Sequence, residues 1–386
     1  MDKYTQIKLL GKGSFGSAFL VNDTNTNTQY VMKIISLSNI PPEERASALQ
    51  EARILLKCKH KYVTNCVEAF QQNNNLCIVM QYANAGDLQQ FLDRQKKEKK
   101  GFVKEELVLT FFVQMALGLR YVHSQHILHR DLKGANVFLH EETGQISCQL
   151  GDFGVSKVLG GTLDVAKTAI GTPYYMSPEI VNNVPYNTKT DIWSLGCVLY
   201  ELCTLEHVFD AGSLKMLQMK ILSGTYKPIP GIYSKDMQNL IGKMLAKNPI
   251  DRPQINDILG LKFIKDVAKK ILSQEEYIKE FDVKNEAKDF SDAPSNVQKS
   301  TAENLIDRLK SKGDSAMYRI ESVRAYLEKQ IGFDRFFNTY QIVIDAFEQG
   351  KSEIDRKVIQ QSLGAENMGF INVIIQLILL EIQSNK

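Results

Sequence analysis

The sequence predicts an α+β protein in which a small β-rich lobe precedes a larger helical lobe, with an all-α extension at the C-terminal end. Three observations carry this. Over roughly the first 80 residues, short β-branched and aromatic runs alternate with turn residues. From Glu105 onward, apolar residues recur every three or four positions. A polar stretch from Phe290 to Ser300 is then followed by renewed helical periodicity. The 386 residues are 44% hydrophobic and 24% charged, which fits a folded chain of about two domains, or one large domain with an appendage.

The elements follow in order. "QIKLL", "SAFLV", "QYVMKII" and "LCIVMQY" read as strands, with Asn22 to Thr28 as a hairpin loop between two of them. "PPEERASALQEARILL" carries helix signals: prolines at its start, acids in its first turn, then Leu49, Ile54, Leu55 and Leu56. Leu107, Phe111, Met115, Leu119 and Val122 form an amphipathic stripe on a long helix. Helical patterns recur at Thr188 to Leu205, Leu214 to Leu222, Lys235 to Leu245 and Ile255 to Ile258. Lys265 to Asp289 is helical and heavily charged. After the linker, apolar periodicity resumes from Thr301 to Lys386, with breaks near Gly313, Gly332, Gly350 and Gly364.

Composition excludes several function classes. Forty-seven Lys and Arg against 44 Asp and Glu leave a net charge of +3, too little for a general affinity for nucleic acid or anionic lipid. Six cysteines without a C-x-x-C pair argue against a zinc module or disulfide framework, and for reduced thiols in the cytoplasm. The start, Met1-Asp2-Lys3-Tyr4, lacks the apolar core of a secretion signal. The most apolar stretch, Phe370 to Ile382, is interrupted by Asn372 and Gln376 and falls short of the ~20 residues of a membrane-spanning helix. No membrane insertion is expected.

Gly11-Lys12-Gly13-Ser14-Phe15-Gly16 fits G-x-G-x-x-G. A strand rather than a helix follows Gly16, so the glycines cap a β-hairpin whose bare backbone can approach phosphate oxygens. A Rossmann turn would open a helix, and a Walker loop would end in G-K-[ST]; neither is present. Lys33, one strand further on, faces solvent or points beneath the glycine loop toward phosphates, with Glu51 available to hold it. The strongest pattern is His129-Arg130-Asp131-Leu132-Lys133-Gly134-Ala135-Asn136, then Asp152-Phe153-Gly154, then Ser177-Pro178-Glu179. Phosphoryl transfer needs a carboxylate beside the attacking hydroxyl (Asp131), hard oxygen ligands for Mg²⁺ (Asn136 and Asp152) and a cation near the transferred phosphate (Lys133).

These motifs resemble those of the eukaryotic protein kinases, over about Tyr4 to Ile264. The resemblance implies a two-lobed kinase fold over 1–264, with an N-lobe of about 1–83 and a C-lobe of about 84–264, then a charged helix and linker over 265–300 and a small helical module over 301–386. Lys133 resembles the serine/threonine branch. The family pattern implies an ATP site formed by Leu10, Gly11, Lys12, Gly13, Ser14, Phe15, Gly16, Ala18, Lys33, Gln81 and Ala83, with Met80 as gatekeeper. It also implies a buried ion pair, Glu179 with Arg252, and a brace on the catalytic loop, Asp191. "GDFGVSKVL", "AKTAIGTPYYMSPE" and "TDIWSLGCVLYELCTL" resemble the NIMA-related (never-in-mitosis) kinases. Ala18 resembles the subgroup associated with cilia and basal bodies, and the tail segment "VRAYLEKQIGFDRFFNTYQIV" resembles the C-terminal segment of the family's large ciliary member, without the long coiled-coil region that separates kinase and tail there.

The resemblance also places an activating phosphothreonine at Thr168, clamped by Arg130 and Lys157, against the plainer reading of a solvated loop residue. Thr172 is expected to shape the substrate-hydroxyl pocket. Protein substrates follow, and a partner protein on the C-terminal helices is a further expectation. The expected location is the cytoplasm, extending to the cilium, basal body or centrosome; the sequence sets no oligomeric state. Two other classes compete: a pseudokinase scaffold, which typically loses the equivalents of Lys33, Asp131 or Asp152, and a small-molecule phosphotransferase, which has no need of "GTPYYMSPE". His60, His123, His126 and His207 show no metal-ligand spacing and are expected to be structural.

Overall fold

The computed structural model describes residues 3–13, 16–38, 45, 52, 55–125, 127–152, 173–182 and 187–281, and in the C-terminal part 305–307, 309, 320, 323–324, 326–327, 330–332, 335–336, 338–340, 342–343 and 356–384. The chain divides into two compact units, Met1–Asp282 and Val283–Lys386.

The first unit opens with β1 (Tyr4–Gly13), β2 (Gly16–Asp23) and β3 (Gln29–Ser36), followed by β4 (Cys66–Gln72) and β5 (Asn75–Gln81). They form one antiparallel sheet in the order β1-β2-β3-β5-β4. Local chemistry explains the turns. Asp23 Oδ1 accepts from the Asn25 N–H at 2.8 Å, and Asn27 takes the left-handed conformation that closes β2 onto β3. Gln72 pairs with Asn75, so Asn73 and Asn74, at φ 47° and 58°, make the two-residue hairpin that suits strand twist. Strand β4 was not expected. It is an edge strand, with Glu68, Gln71 and Gln72 among its residues, and that blurs the alternation that marks a buried strand. The segment read as a helix from Pro41 is helical at Arg45, Ala52 and Leu55–Lys57, its described residues.

The larger lobe is built on α1 (Leu88–Lys97) and α2 (Glu105–Ser124), a hairpin of β6 (Val137–Glu142) and β7 (Gln145–Leu150), then α3 (Pro178–Val181), α4 (Thr188–Thr204), α5 (Leu214–Ser223), α6 (Lys235–Met244), α7 (Ile255–Gly260), α8 (Lys262–Ile271) and α9 (Gln274–Phe281). Helix α2 departs from the amphipathic stripe. Phe111, Met115, Leu119 and Val122 are buried as expected, but so are Val108, Phe112, Val113, Ala116 and Leu117 on its other sides. By length and composition it would qualify to cross a bilayer; here it is the central core helix, packed by β7, α4, α7 and α8. Each large apolar side chain so buried contributes roughly 1.5–3 kcal/mol. The charged stretch after Phe263 is two helices, broken at Leu272, with Ser273 Oγ accepting from the Glu276 N–H to start α9. Both belong to the first compact unit.

The second unit has its own core of Leu305, Leu309, Ile320, Val323, Leu327, Ile331, Phe336, Tyr340, Val343, Ile359, Leu363, Val373, Ile374, Leu377 and Ile378. Helices α10 (Arg356–Leu363) and α11 (Ile371–Ser384) are joined through a 3₁₀ turn, Ala365–Phe370. Gly332 and Gly364 both have left-handed backbone, at φ 88° and 86°, where two of the helix breaks were expected. Gly313 and Gly350 lie outside the described residues.

Candidate active site

Sheet register assembles the roof of the site. Gly11 lies opposite Ala18, Ala18 opposite Lys33 and Lys33 opposite Ile78, so the four form one row across β1, β2, β3 and β5. Residues directly opposite each other project from the same face of an antiparallel sheet, which sets the small Ala18 beside the Lys33 side chain. A Cβ on Gly16 would stand 2.0 Å from the Ile34 carbonyl oxygen, so packing demands glycine there. At Gly11 the same Cβ would meet nothing within 4 Å. Leu10 and Lys12 are exposed strand residues; Ser14 and Phe15 lie outside the described residues. At the end of β5 the Gln81 N–H donates to the Asn65 carbonyl at 3.0 Å, and Ala83 follows two residues beyond the strand end.

The floor is the loop between α2 and β6. Asp191, fully buried in the first turn of α4, accepts from the His129 N–H at 2.9 Å through Oδ2 and from the Arg130 N–H at 3.1 Å through Oδ1. His123 Nε2 lies 2.7 Å from the same Oδ2. Burial pushes the His129 imidazole below its ordinary pKa, so the ring sits neutral beneath the loop. Arg130 is held at φ 64°, a conformation that costs a non-glycine residue about 1–3 kcal/mol. The next residue, Asp131, is thereby turned into the cleft. Its Oδ2 accepts from Lys133 Nζ at 2.8 Å and from Asn136 Nδ2 at 2.9 Å, and its carbonyl accepts from the same amide at 2.7 Å.

A second cluster stands at the end of β7. Asp152, at φ 54°, accepts from Lys33 Nζ at 3.0 Å through Oδ1. The Gly151 N–H donates to the Asn136 carbonyl at 2.9 Å and ties the two clusters together. Sequence reasoning offered Glu51 as the partner of Lys33; Glu51 lies outside the described residues, and the partner seen is Asp152. The donor set fits a divalent metal. With the Asn136 nitrogen spent on Asp131, its amide oxygen is left over, and Asp152 has a second carboxylate oxygen besides the one facing Lys33. Both are hard oxygen donors.

The segment beyond the cleft is fixed by long-range pairs, of which Glu179 with Arg252 is the one the family resemblance implied. Tyr175 donates to Glu201 Oε2 at 2.5 Å, with burial and the Glu201 charge raising the phenol pKa, and Tyr174 stacks on His207 at 3.9 Å. Glu179 takes a two-pronged contact from Arg252, Nη1 to Oε1 at 2.7 Å and Nη2 to Oε2 at 2.8 Å. Arg252 also donates to the carbonyls of Ala246, Lys189 and Lys247 and lies 4.9 Å from the Trp193 ring. Lys157, Thr168 and Thr172 lie outside the described residues. Asp191 is the brace the family pattern implied, whereas long-range partners such as Glu201 and Glu280 carry no sequence-local signal. Only the fold brings them in.

A sheet-roofed cleft holding a lysine–aspartate pair, above a loop carboxylate paired with a second lysine and an asparagine, defines the protein kinase class. The protein kinase domain family matches residues 4–264, and the chain belongs to it, within the NIMA-related branch. It is 44% identical over 288 residues to the serine/threonine-protein kinase Nek1 of Mus musculus, which covers 75% of this chain and 23% of that protein. A match of that length necessarily runs past residue 264. It is 46% identical over 265 residues to the probable serine/threonine-protein kinase nek3 of Dictyostelium discoideum (68% and 24%), and 42% over 281 residues to Nek5 of Homo sapiens (73% and 39%). The chain thus spans about a quarter to two fifths of the length of these relatives. The family works with ATP and a divalent metal.

Proposed function

We propose that this chain transfers the γ-phosphate of ATP, with Mg²⁺, to serine or threonine hydroxyls of protein substrates. The observation that carries the reading is Asp131, turned into the cleft and held by Lys133 and Asn136 beside the Lys33–Asp152 pair. Asp131 accepts the hydroxyl proton, the hydroxyl oxygen attacks the γ-phosphorus, and the bond to the β-phosphate oxygen breaks as ADP leaves. Lys33 orients the phosphates, and Lys133 stabilises charge on the transferred group. Mg²⁺, held by Asn136 and Asp152, would neutralise the phosphates. Glycine at Gly11, where no protein atom crowds the missing side chain, supports a close approach by a ligand. Radiolabelled phosphate transfer to a generic protein substrate, with Asp131→Asn as control, tests the reading; no transfer in any phosphorylation state would leave the scaffold reading standing.

Regulation by phosphorylation of Thr168 belongs to the same proposal. Arg130 adjoins the catalytic aspartate, so a phosphate paired with it would be coupled to the catalytic loop by charge-assisted hydrogen bonds. Thr168→Ala is expected to lower turnover strongly while the melting temperature stays unchanged; near-normal turnover of the purified variant refutes it. Action at the cilium, basal body or centrosome is proposed from the Ala18 and tail resemblances. The second compact unit is proposed to dock a partner protein. Removing 301–386 is expected to change localisation and partner pull-downs without abolishing transfer. Unchanged localisation and pull-downs would sink the docking role.

A further inference from the structure

Helix α9 follows the end of the family match at residue 264, yet it reaches back to the loop that enters β4. Glu280 bridges two elements: its Oε1 lies 3.1 Å from His60 Nε2, and its Oε2 accepts from Arg120 of α2. One turn earlier, Glu276 pairs with Lys61 at 2.8 Å. His60 is sandwiched further, its ring stacked on Tyr121 at 4.8 Å, while the Tyr121 hydroxyl accepts from the Lys59 N–H at 2.9 Å. Arg120 lies 5.5 Å from the centroid of the Phe281 ring. The Glu280 carboxyl is mostly buried; burial opposes its charge, and the His60 and Arg120 contacts outweigh burial to hold its pKa below the ordinary carboxylate value.

The clamped residues are hydrogen-bonded into the site. The Lys61 carbonyl accepts from Gln149 Nε2 at 3.0 Å, the Tyr62 carbonyl from the Leu150 N–H at 3.0 Å, and the Leu150 carbonyl from the Thr64 N–H at 2.8 Å. Val63 and Leu150 form a parallel bridge. Leu150 stands two residues before Asp152. On its other side the clamped loop continues directly from the helical residues Leu55–Lys57. The path from Glu280 to the cleft thus runs through His60 to its chain neighbours Lys61 and Tyr62, by hydrogen bonds from these to Gln149 and Leu150, and along the chain to Asp152.

We propose that α9 is a strut of the catalytic machinery and that Glu280 is a positioning residue for Asp152, acting through His60 and the 59–64 loop. The proposal rests on the functional reading of Asp152 as a metal ligand. A strut of this kind would fix the backbone that carries Asp152, a residue that would hold the metal. Loosening it weakens metal-dependent nucleotide binding without touching the cleft itself.

The test uses the full chain with Glu280→Ala, Glu280→Gln and, as control, Glu275→Ala, an exposed acid five residues earlier on the same helix. Binding of a fluorescent ATP analogue is titrated with Mg²⁺, and amide exchange is followed at 60–65 and 149–152. Glu280→Ala is expected to raise the Mg²⁺ concentration for half-maximal binding about threefold to tenfold and to speed exchange in both segments. Glu280→Gln should fall between, and Glu275→Ala should match the wild type. Should the alanine variant fail to fold, the glutamine variant carries the measurement. Faster exchange at 60–65 alone, with the Mg²⁺ dependence unmoved, overturns the strut and leaves α9 a packing element. A wild-type chain that shows no Mg²⁺-dependent binding overturns the functional reading and the strut with it.

Discussion

Replacing Asp131 by Asn is expected to lower phosphoryl transfer by about 10²–10⁴-fold, the range usual for loss of a general base. The amide keeps the shape of the carboxylate and retains an oxygen to accept from Lys133 or Asn136, so the loop is expected to stay folded. What disappears is the acceptor for the substrate proton and the negative charge facing Lys133. Nucleotide binding, assigned by the proposed reading to the roof of the cleft and Lys33, should be nearly unaffected. Initial rates of phosphate transfer, measured beside nucleotide affinity on the same preparation, separate the two. A variant within about tenfold of the wild-type rate would remove Asp131 from the base role.

Arg252→Leu is expected to act on the fold rather than on the chemistry. Arg252 is 1% exposed and Glu179 is 4% exposed, and each guanidinium prong has a carboxylate partner. Removing the arginine leaves the Glu179 charge in a dry interior and strips partners from three backbone carbonyls. A buried pair broken on one side typically costs about 3–5 kcal/mol, which in a domain of this size lowers the melting temperature by on the order of 10 °C. Thermal melting of the chain checks this. The double variant Glu179→Leu with Arg252→Leu removes the stranded charge and should recover part of the loss. A single variant that melts with the wild type would show that the pair is dispensable.

What the sequence made legible follows from how far each signal reaches along the chain. The strands at β1, β2, β3 and β5 and the helices α2 and α4 to α7 were readable, since their periodicity is local, whereas α1, the β6–β7 hairpin and the short α3 were not read. Edge strand β4 was missed because half-exposed polar residues replace the alternation. The burial of α2 on all sides goes beyond the stripe because its polar positions Gln114 and His123 are satisfied inside the core. In the structure Gln114 Oε1 accepts from the Cys148 N–H, and His123 meets Asp191. The chemical groups Lys33, Asp131, Lys133, Asn136 and Asp152 were legible as types at characteristic spacings. Their partners were not, because Lys33 and Asp152 lie 119 positions apart and no spacing rule spans that distance.

Arg130 and Asp152 share a further property. Both carry full side chains on left-handed backbone, the conformation that suits glycine. A glycine at either position would relax the main chain and make the native state easier to reach, yet at Asp152 it would also delete the group that faces Lys33. Selection for stability alone would therefore erode this cleft. The protein keeps two residues in a conformation that a more robust sequence would abandon, and its margin against unfolding is correspondingly thinner: a trade-off between durability and chemistry settled in favour of chemistry.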